Sequence, residues 1–368
     1  MNTLRMHTEN SHEEKDRLLR ERVQHLLETR RASGLEGLTG DLSFVIMNTE
    51  PENQRDAVVE LLRYTGYAFV EAFEDDQYRT CVLKCRESAD LLVRCRLGDA
   101  NPFRPFNRGN KSGHIPDTRL EALVFSCTDL NRYCALQQKR SVTFMTERPV
   151  KLASGHFIQT PPSAYTGNSI GLVEWSSGPE NYRSPGSRPL DWCFDVPSAP
   201  WKNKLGILDH IATRVKAEHR DPAILEFMEL TDYHFEFAIY VPDLNSITNV
   251  ARRAGARFAQ VFTSGIAVNP PQDAMGPTEM FVQNYGARAH HMAFLTEDIE
   301  ATDRALRADG LGFLSDLVGS ESDGIKQSFS APSPNTLLVN EYIKRYGNFD
   351  GFFTQHNVTQ LTLATAKQ

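Results

Sequence analysis

Two histidines and a glutamate stand out in the second half of the chain, each inside a short run of strand-forming residues. The runs are Leu208-Asp209-His210-Ile211-Ala212, His290-His291-Met292-Ala293-Phe294 and Leu338-Val339-Asn340-Glu341-Tyr342-Ile343. Two imidazoles and one carboxylate are the ligand set of mononuclear non-haem Fe(II) oxygenases, which leave coordination positions open for substrate and O2. A single strand histidine is more often a hydrogen-bonded core residue, and a single strand glutamate often faces solvent. A glutamate turned into an apolar sheet, however, needs a cation. Taken together, the three read as a metal site.

The elements that must position them follow a recurring order. Strict alternation through the first run puts Leu208 and His210 on one face and Asp209 and Ile211 on the other. By the same rule only one of His290 and His291 faces inward, and the Met-Ala-Phe that follows favours His291. Both ligand strands precede a helix, over Pro222 to Leu230 and Asp298 to Asp309. Strands at Leu42 to Met47 and Leu120 to Cys127 also precede helices, at Glu52 to Thr65 and Asp129 to Gln138. Four strand-first units at roughly 80-residue spacing indicate an internal repeat whose sequence identity has been erased. Two such units sharing one cupped sheet bring equivalent strand positions together, so that two first-strand histidines face a last-strand glutamate.

Proline and glycine concentrate from Ser184 through Pro200, which divides the chain. The expected organisation is a helical extension over 1–40, an N-terminal domain without metal over 41–196, and a catalytic domain over 197–368. In the extension, Leu18, Leu19, Val23, Leu26 and Leu27 recur at near-helical spacing within a charged stretch. This predicts an amphipathic helix packed on the first half. The polar stretch from Asp99 to Asp117 is expected as a surface loop.

Composition narrows the partners. A chain of 368 residues exceeds one ordinary core. With 24% charged residues and a net charge of -7, nucleic acid and anionic membrane are not the expected partners. No apolar run approaches the roughly 20 residues that span a bilayer. The segment Met1 to His7 lacks the apolar core of a signal peptide, which points to the cytoplasm. Cys81, Cys85, Cys95, Cys127, Cys134 and Cys193 offer no second close pair for zinc and are expected as reduced, mostly buried thiols.

The second half resembles 4-hydroxyphenylpyruvate dioxygenase and its relatives in the vicinal oxygen chelate superfamily. Leu208-Asp209-His210-Ile211 matches that family's Leu-Asp-His-hydrophobic motif at the first ligand. Ala289-His290-His291-Met292-Ala293, followed by Asp298-Ile299, is similar to its second, with His290 where the family usually has glutamine. Glu341-Tyr342-Ile343-Lys344-Arg345 and Gly347-Asn348-Phe349 resemble its third and the Gly-Asn-Phe beyond.

The resemblance implies an α+β fold of paired βαβββ modules forming cupped sheets in two domains. It implies Fe(II) held by His210, His291 and Glu341, and a substrate pocket with Ser264, Asn269, His290, Gln327, Phe329, Asn348, Phe349 and Phe353. The implied substrates are an aryl α-keto acid and O2, and a homo-oligomer is expected. The implied reaction is oxidative decarboxylation followed by hydroxylation of the same molecule, on the ring or at the benzylic carbon. Asn269-Pro270-Pro271, where the family has Asn-Glu-Pro, and the short segment after Arg345 mark an altered pocket. Two other readings stay open. One is an extradiol-type or other metal-dependent enzyme on the same scaffold; the other is a non-catalytic protein that binds an aromatic ligand in the cup.

Overall fold

The computed structural model describes the backbone of residues 2–176, 178–347, 349 and 351–368, and their side chains apart from those of 2–13, 15 and 273. A long helix α1 (Asn2–Ser33) leads into two halves of the same plan. The first half runs β1 (Thr39–Asn48), α2 (Gln54–Tyr64), β2 (Ala68–Glu74), β3 (Tyr78–Lys84) and β4 (Asp90–Arg96). It continues with β5 (Arg119–Cys127), α3 (Leu130–Lys139), β6 (Val150–Leu152), β7 (Gly155–Gln159), β8 (Ser169–Trp175) and β9 (Arg188–Leu190). The second half runs β10 (Leu205–Arg214), α4 (Arg220–Leu230), β11 (His234–Val241), β12 (Ser246–Arg252), β13 (Ala259–Ser264) and α5 (Pro277–Tyr285). Then follow β14 (Arg288–Thr296), α6 (Ile299–Ala308), β15 (Val318–Ser320), β16 (Ile325–Phe329), β17 (Val339–Arg345) and α7 (Gln355–Thr365).

Each half is one mixed sheet, ordered β6-β7-β8-β5-β1-β4-β3-β2-β9 and β11-β12-β13-β10-β14-β17-β16-β15. At the centre, the first strands of two βαβββ modules pair antiparallel: β1 with β5 and β10 with β14. Each first strand also pairs in parallel with the last strand of its own module, β1 with β4, β5 with β8, β10 with β13 and β14 with β17. Asp129 and Asp298 cap α3 and α6 at matching places, each accepting from a backbone N–H three residues on. One apolar core runs between the halves, including Val45, Phe125, Leu208, Ile211 and Met292. Arg119 and Arg288 tie them reciprocally: Arg119 Nη2 donates to Ala287 O at 2.6 Å and Arg288 Nη2 to Thr118 O at 2.7 Å. No helix is long and apolar enough to cross a membrane, among the described residues.

One expectation needs correction. Helix α1 reaches over to the second half rather than settling on the first. Arg30 of α1 donates to Met228 O, Thr231 O and Tyr233 O, and Asp16 accepts from Arg220 at 2.6 Å and Tyr240 at 2.7 Å. Helical spacing reveals the buried stripe, with Leu19 and Val23 enclosed, but not which half covers it. The stretch from Asp99 to Asp117 is the expected surface loop, with most of its residues exposed or half-exposed, but it is anchored. Phe103 and Ser112 are fully buried, and Ser112 Oγ donates to Tyr285 O at 3.1 Å, pinning the loop to α5. Six cysteines are free thiols; Cys85 is half-buried, Cys193 exposed and the other four buried.

Candidate metal centre

His210 from β10, His291 from β14 and Glu341 from β17 converge at the centre of the second cup. Glu341 Oε2 lies 3.1 Å from His210 Nε2 and 3.2 Å from His291 Nε2, and the two Nε2 atoms are 3.3 Å apart. Atoms held about 2.1 Å from one ion at right angles to each other stand about 3 Å apart, so this triangle is the right size for three ligands on one face of a metal. His210 and Glu341 are buried to 1% exposure or less and His291 to 8%. Among the described residues this is the one group of three histidine, cysteine or acidic side chains whose ligand atoms lie close enough together to hold an ion.

Backbone irregularities aim these side chains. A register shift between Leu208 and His210 breaks the alternation in β10. Leu208 therefore joins Ile211 in the core between the halves, while His210 and Ala212 face the cup; the expected shared face of Leu208 and His210 is not formed. A second shift follows Ala212, opposite His290, where Ala212 pairs with His291 and Thr213 with Ala289. The extra residue is His290, so its ring lies edge to face with that of His291, centroids 5.0 Å apart, while His291 alone of the two lines the cavity. A β-bulge re-aims a side chain in this way.

Three networks hold the ligands from behind. Asp209 Oδ2 accepts from His210 Nδ1 at 2.8 Å and is itself clamped by Arg345 through bonds of 2.6 and 2.9 Å. His291 Nδ1 lies 2.7 Å from His290 Nδ1, and His290 Nε2 lies 3.0 Å from Gln368 Oε1. The assignment that satisfies this chain has His291 Nδ1–H donating to His290 and His290 Nε2–H donating to Gln368, which frees the Nε2 lone pair of His291 for a metal. Gln327 Nε2 donates to Glu341 Oε1 at 2.5 Å, and Asn357 Nδ2 of α7 donates to Gln327 Oε1 at 2.9 Å. Second-layer partners of this kind fix tautomer and orientation.

Charge within the triad is redistributed. Burial works against ionising Glu341, but the charge on His210 and its hydrogen bond hold the carboxyl down to about 2. Burial likewise opposes a charge on His210, yet Glu341 and Asp209 raise it to about 8. Burial pushes His291 down to about 4 despite the Glu341 carboxylate beside it. Without a metal, a proton on His210 takes the ion's place beside Glu341.

The triad opens onto a partly open cavity lined by His291, Glu341, Phe329, Phe353, Arg214 and threonines including Thr263 and Thr278. The Phe329 ring lies 4.8 Å from His291 and the Phe353 ring 5.2 Å from His210. Of the residues expected in the pocket, Phe329 and Phe353 line this cavity. Gln327 and His290 support ligands instead. Ser264 is buried at the end of β13 and donates to Gly265 O, and Asn269 is exposed at a positive φ of 48°. Phe349 lies in a neighbouring groove with Asp209, Arg345 and Phe352. Asn348 lies outside the described residues. Arg214, Asn357 and Gln368 were not anticipated. Arg214 had a signal, since alternation from His210 puts it on the cup face; Asn357 and Gln368 arrive from the chain's last helix and tail with none.

Paired βαβββ modules closing into two cups are the vicinal oxygen chelate fold, in its two-domain α+β form. No protein-family profile and no curated protein sequence matches the chain. Solved structures do. A triple mutant of 4-hydroxymandelate synthase from Streptomyces coelicolor matches with a TM-score of 0.65 at 18% identity, over 89% of this chain and 99% of that one. A xylose isomerase-like TIM barrel/4-hydroxyphenylpyruvate dioxygenase fusion protein matches with a TM-score of 0.60 at 14% identity. That match covers 90% of this chain and 53% of the fusion, so the chain spans about half its length. The fold is thus the one shared with these two structures.

Proposed function

We propose that this protein is an Fe(II)-dependent dioxygenase that oxidatively decarboxylates an aryl α-keto acid and hydroxylates the product. The observation that carries the reading is the buried His210–His291–Glu341 triangle at the floor of a cavity walled by Phe329 and Phe353. The donor set suits the metal: two neutral imidazoles and one carboxylate leave a single positive charge on a divalent ion and open positions for substrate and O2. Fe(II) bound there would supply the redox chemistry that activates O2. One oxygen atom would end in the carboxylate left after CO2 is lost, the other in the new hydroxyl group.

The chain's own residues supply placement and exclusion. Asp209 and Arg345 hold the His210 ring, the His290–Gln368 pair holds His291, and Gln327 with Asn357 holds Glu341. Phe329 and Phe353 present apolar faces to an aryl ring and keep bulk water from the ligands. The free thiols, mostly buried, suit a reducing compartment and support a cytoplasmic placement. An extradiol enzyme would use the same ligands, and the products separate the two readings.

The test is anaerobic reconstitution with Fe(II), addition of phenylpyruvate or 4-hydroxyphenylpyruvate, and measurement of O2 uptake, CO2 release and products. Coupled O2 consumption and CO2 release are expected. Catechol ring cleavage without need for a keto acid would instead select the extradiol reading.

A further inference from the structure

The cavity contains a second cationic centre that the triad does not explain. Arg214 follows His210 by four residues on the cup face of β10, is 4% exposed, and lines the same cavity as His291 and Glu341. Among the described residues its guanidinium has no hydrogen bond and no ion pair, and its enclosed Nη1 is without a partner. Its Cζ lies 4.7 Å from the Phe281 ring, and its charge acts on His290 and His291. Other buried arginines are provided for: Arg96 by Glu121, Arg119 by three oxygen acceptors, Arg220 by Asp16 and Asn249. Burial, with no acid to oppose it, pushes Arg214 down to about 9. Removing an unpaired charge from water costs several kcal/mol in ordinary proteins, so a buried cation held in a cavity implies an anion that visits it.

Counting charge points the same way. A divalent ion with Glu341 leaves one positive charge, Arg214 adds another, and Asp209 cancels Arg345. A keto acid with a single carboxylate would leave the cavity positive. The strand rise puts the Cα atoms of His210 and Arg214 about 13 Å apart. The ligand position and the guanidinium thus come from different levels of β10 and face one cavity.

We infer that the substrate is a dianion, offering its α-keto acid to the metal and a second carboxylate, across the ring, to the Arg214 guanidinium. This rests on the α-keto-acid reading above. A guanidinium fork pairs with a carboxylate through two parallel hydrogen bonds, which gives direction as well as charge. Thr263, opposite Arg214 in the β10–β13 register, lines the same cavity with a buried hydroxyl that has no partner.

Calorimetric titration of the anaerobic, Fe(II)-loaded protein with phenylpyruvate and with 4-carboxyphenylpyruvate tests this without requiring turnover. Wild type is expected to bind the dicarboxylate at least tenfold more tightly. Arg214→Met is expected to erase that preference while leaving iron content unchanged, and Arg214→Lys to retain part of it. Equal affinities in the wild type would overturn the inference even if the Met variant did not fold. So would an Arg214→Met variant that weakens both compounds alike, because Arg214 would then be a structural residue. If the preference holds but neither compound supports O2 consumption, the dioxygenase reading fails and the anion site stands. If turnover holds without the preference, only the present inference fails.

Discussion

The registers of the two sheets allow their cups to be laid over one another residue by residue. Where the second cup carries His210, His291 and Glu341, the corresponding positions of the first are Phe44, Ala122 and Gly171. Phe44 fills its cup, 6.0 Å from the ring of Phe157, 6.2 Å from Trp175 and 5.1 Å from Tyr182. A Cβ added at Gly171 would meet Val124 at 2.8 Å and Phe157 at 2.9 Å, so no carboxylate fits there. Even the bulge is repeated: Glu121 occupies the place of His290 and forms a buried pair with Arg96. The backbone plan is common to both halves. What separates a hydrophobic plug from a metal centre is three side chains and the groups that hold them.

The comparison can be broken by exchanging contents. Replacing His210 or Glu341 by alanine is expected to abolish stoichiometric iron binding, read by metal analysis after gel filtration. Phe44→Ala is expected to cost about 3–5 kcal/mol of stability. Urea melts would measure that cost, and the folded fraction should keep its iron. Iron loss from folded Phe44→Ala protein would mean that the cups are not independent. Gly171→Ala should cost about 1–3 kcal/mol through overpacking, again without touching iron content.

Smaller changes sharpen the account of the supporting layer. Gln327→Ala and Asp209→Ala each remove a partner of a ligand, and such losses weaken metal affinity about 10–100-fold. Competition with a chelator would measure this, and unchanged affinity in both would contradict the positioning roles assigned to them. The finest effect is in pH. In the metal-free protein His210 is raised to about 8 from an ordinary 6.5. Its contribution to stability is therefore complete below pH 6.5 and lost as pH rises through 8. Over the same interval iron affinity should increase, because the metal no longer has to displace that proton. Opposite trends in the thermal midpoint of the apoprotein and in iron affinity are expected; parallel trends would count against a proton standing in for the metal.

Much of this was legible in the chain. The strand-then-helix order gives the repeat because hydrophobic period and helix caps such as Asp129 and Asp298 are local. His210, His291 and Glu341 stand out because each is a polar residue in an otherwise strand-like apolar run. The two bulges were not legible, since an extra residue leaves composition unchanged while reversing which way Leu208 and His290 point. Nor was the docking of α1 on the second half, which depends on carbonyls around residue 230 accepting from Arg30. Asn357 and Gln368 reach the ligands across long stretches of chain, and nothing near them in sequence points to a metal. Arg214 was open to discovery by alternation alone, but only the absence of a partner gives it meaning.

The most direct test of the central claim is anaerobic titration of the metal-free protein with Fe(II), followed by metal analysis of the wild type and of Glu341→Ala. One iron per chain in the wild type, and none in a folded Glu341→Ala variant, is the predicted result. Failure of the wild type to retain iron, or retention undiminished by Glu341→Ala, would contradict it.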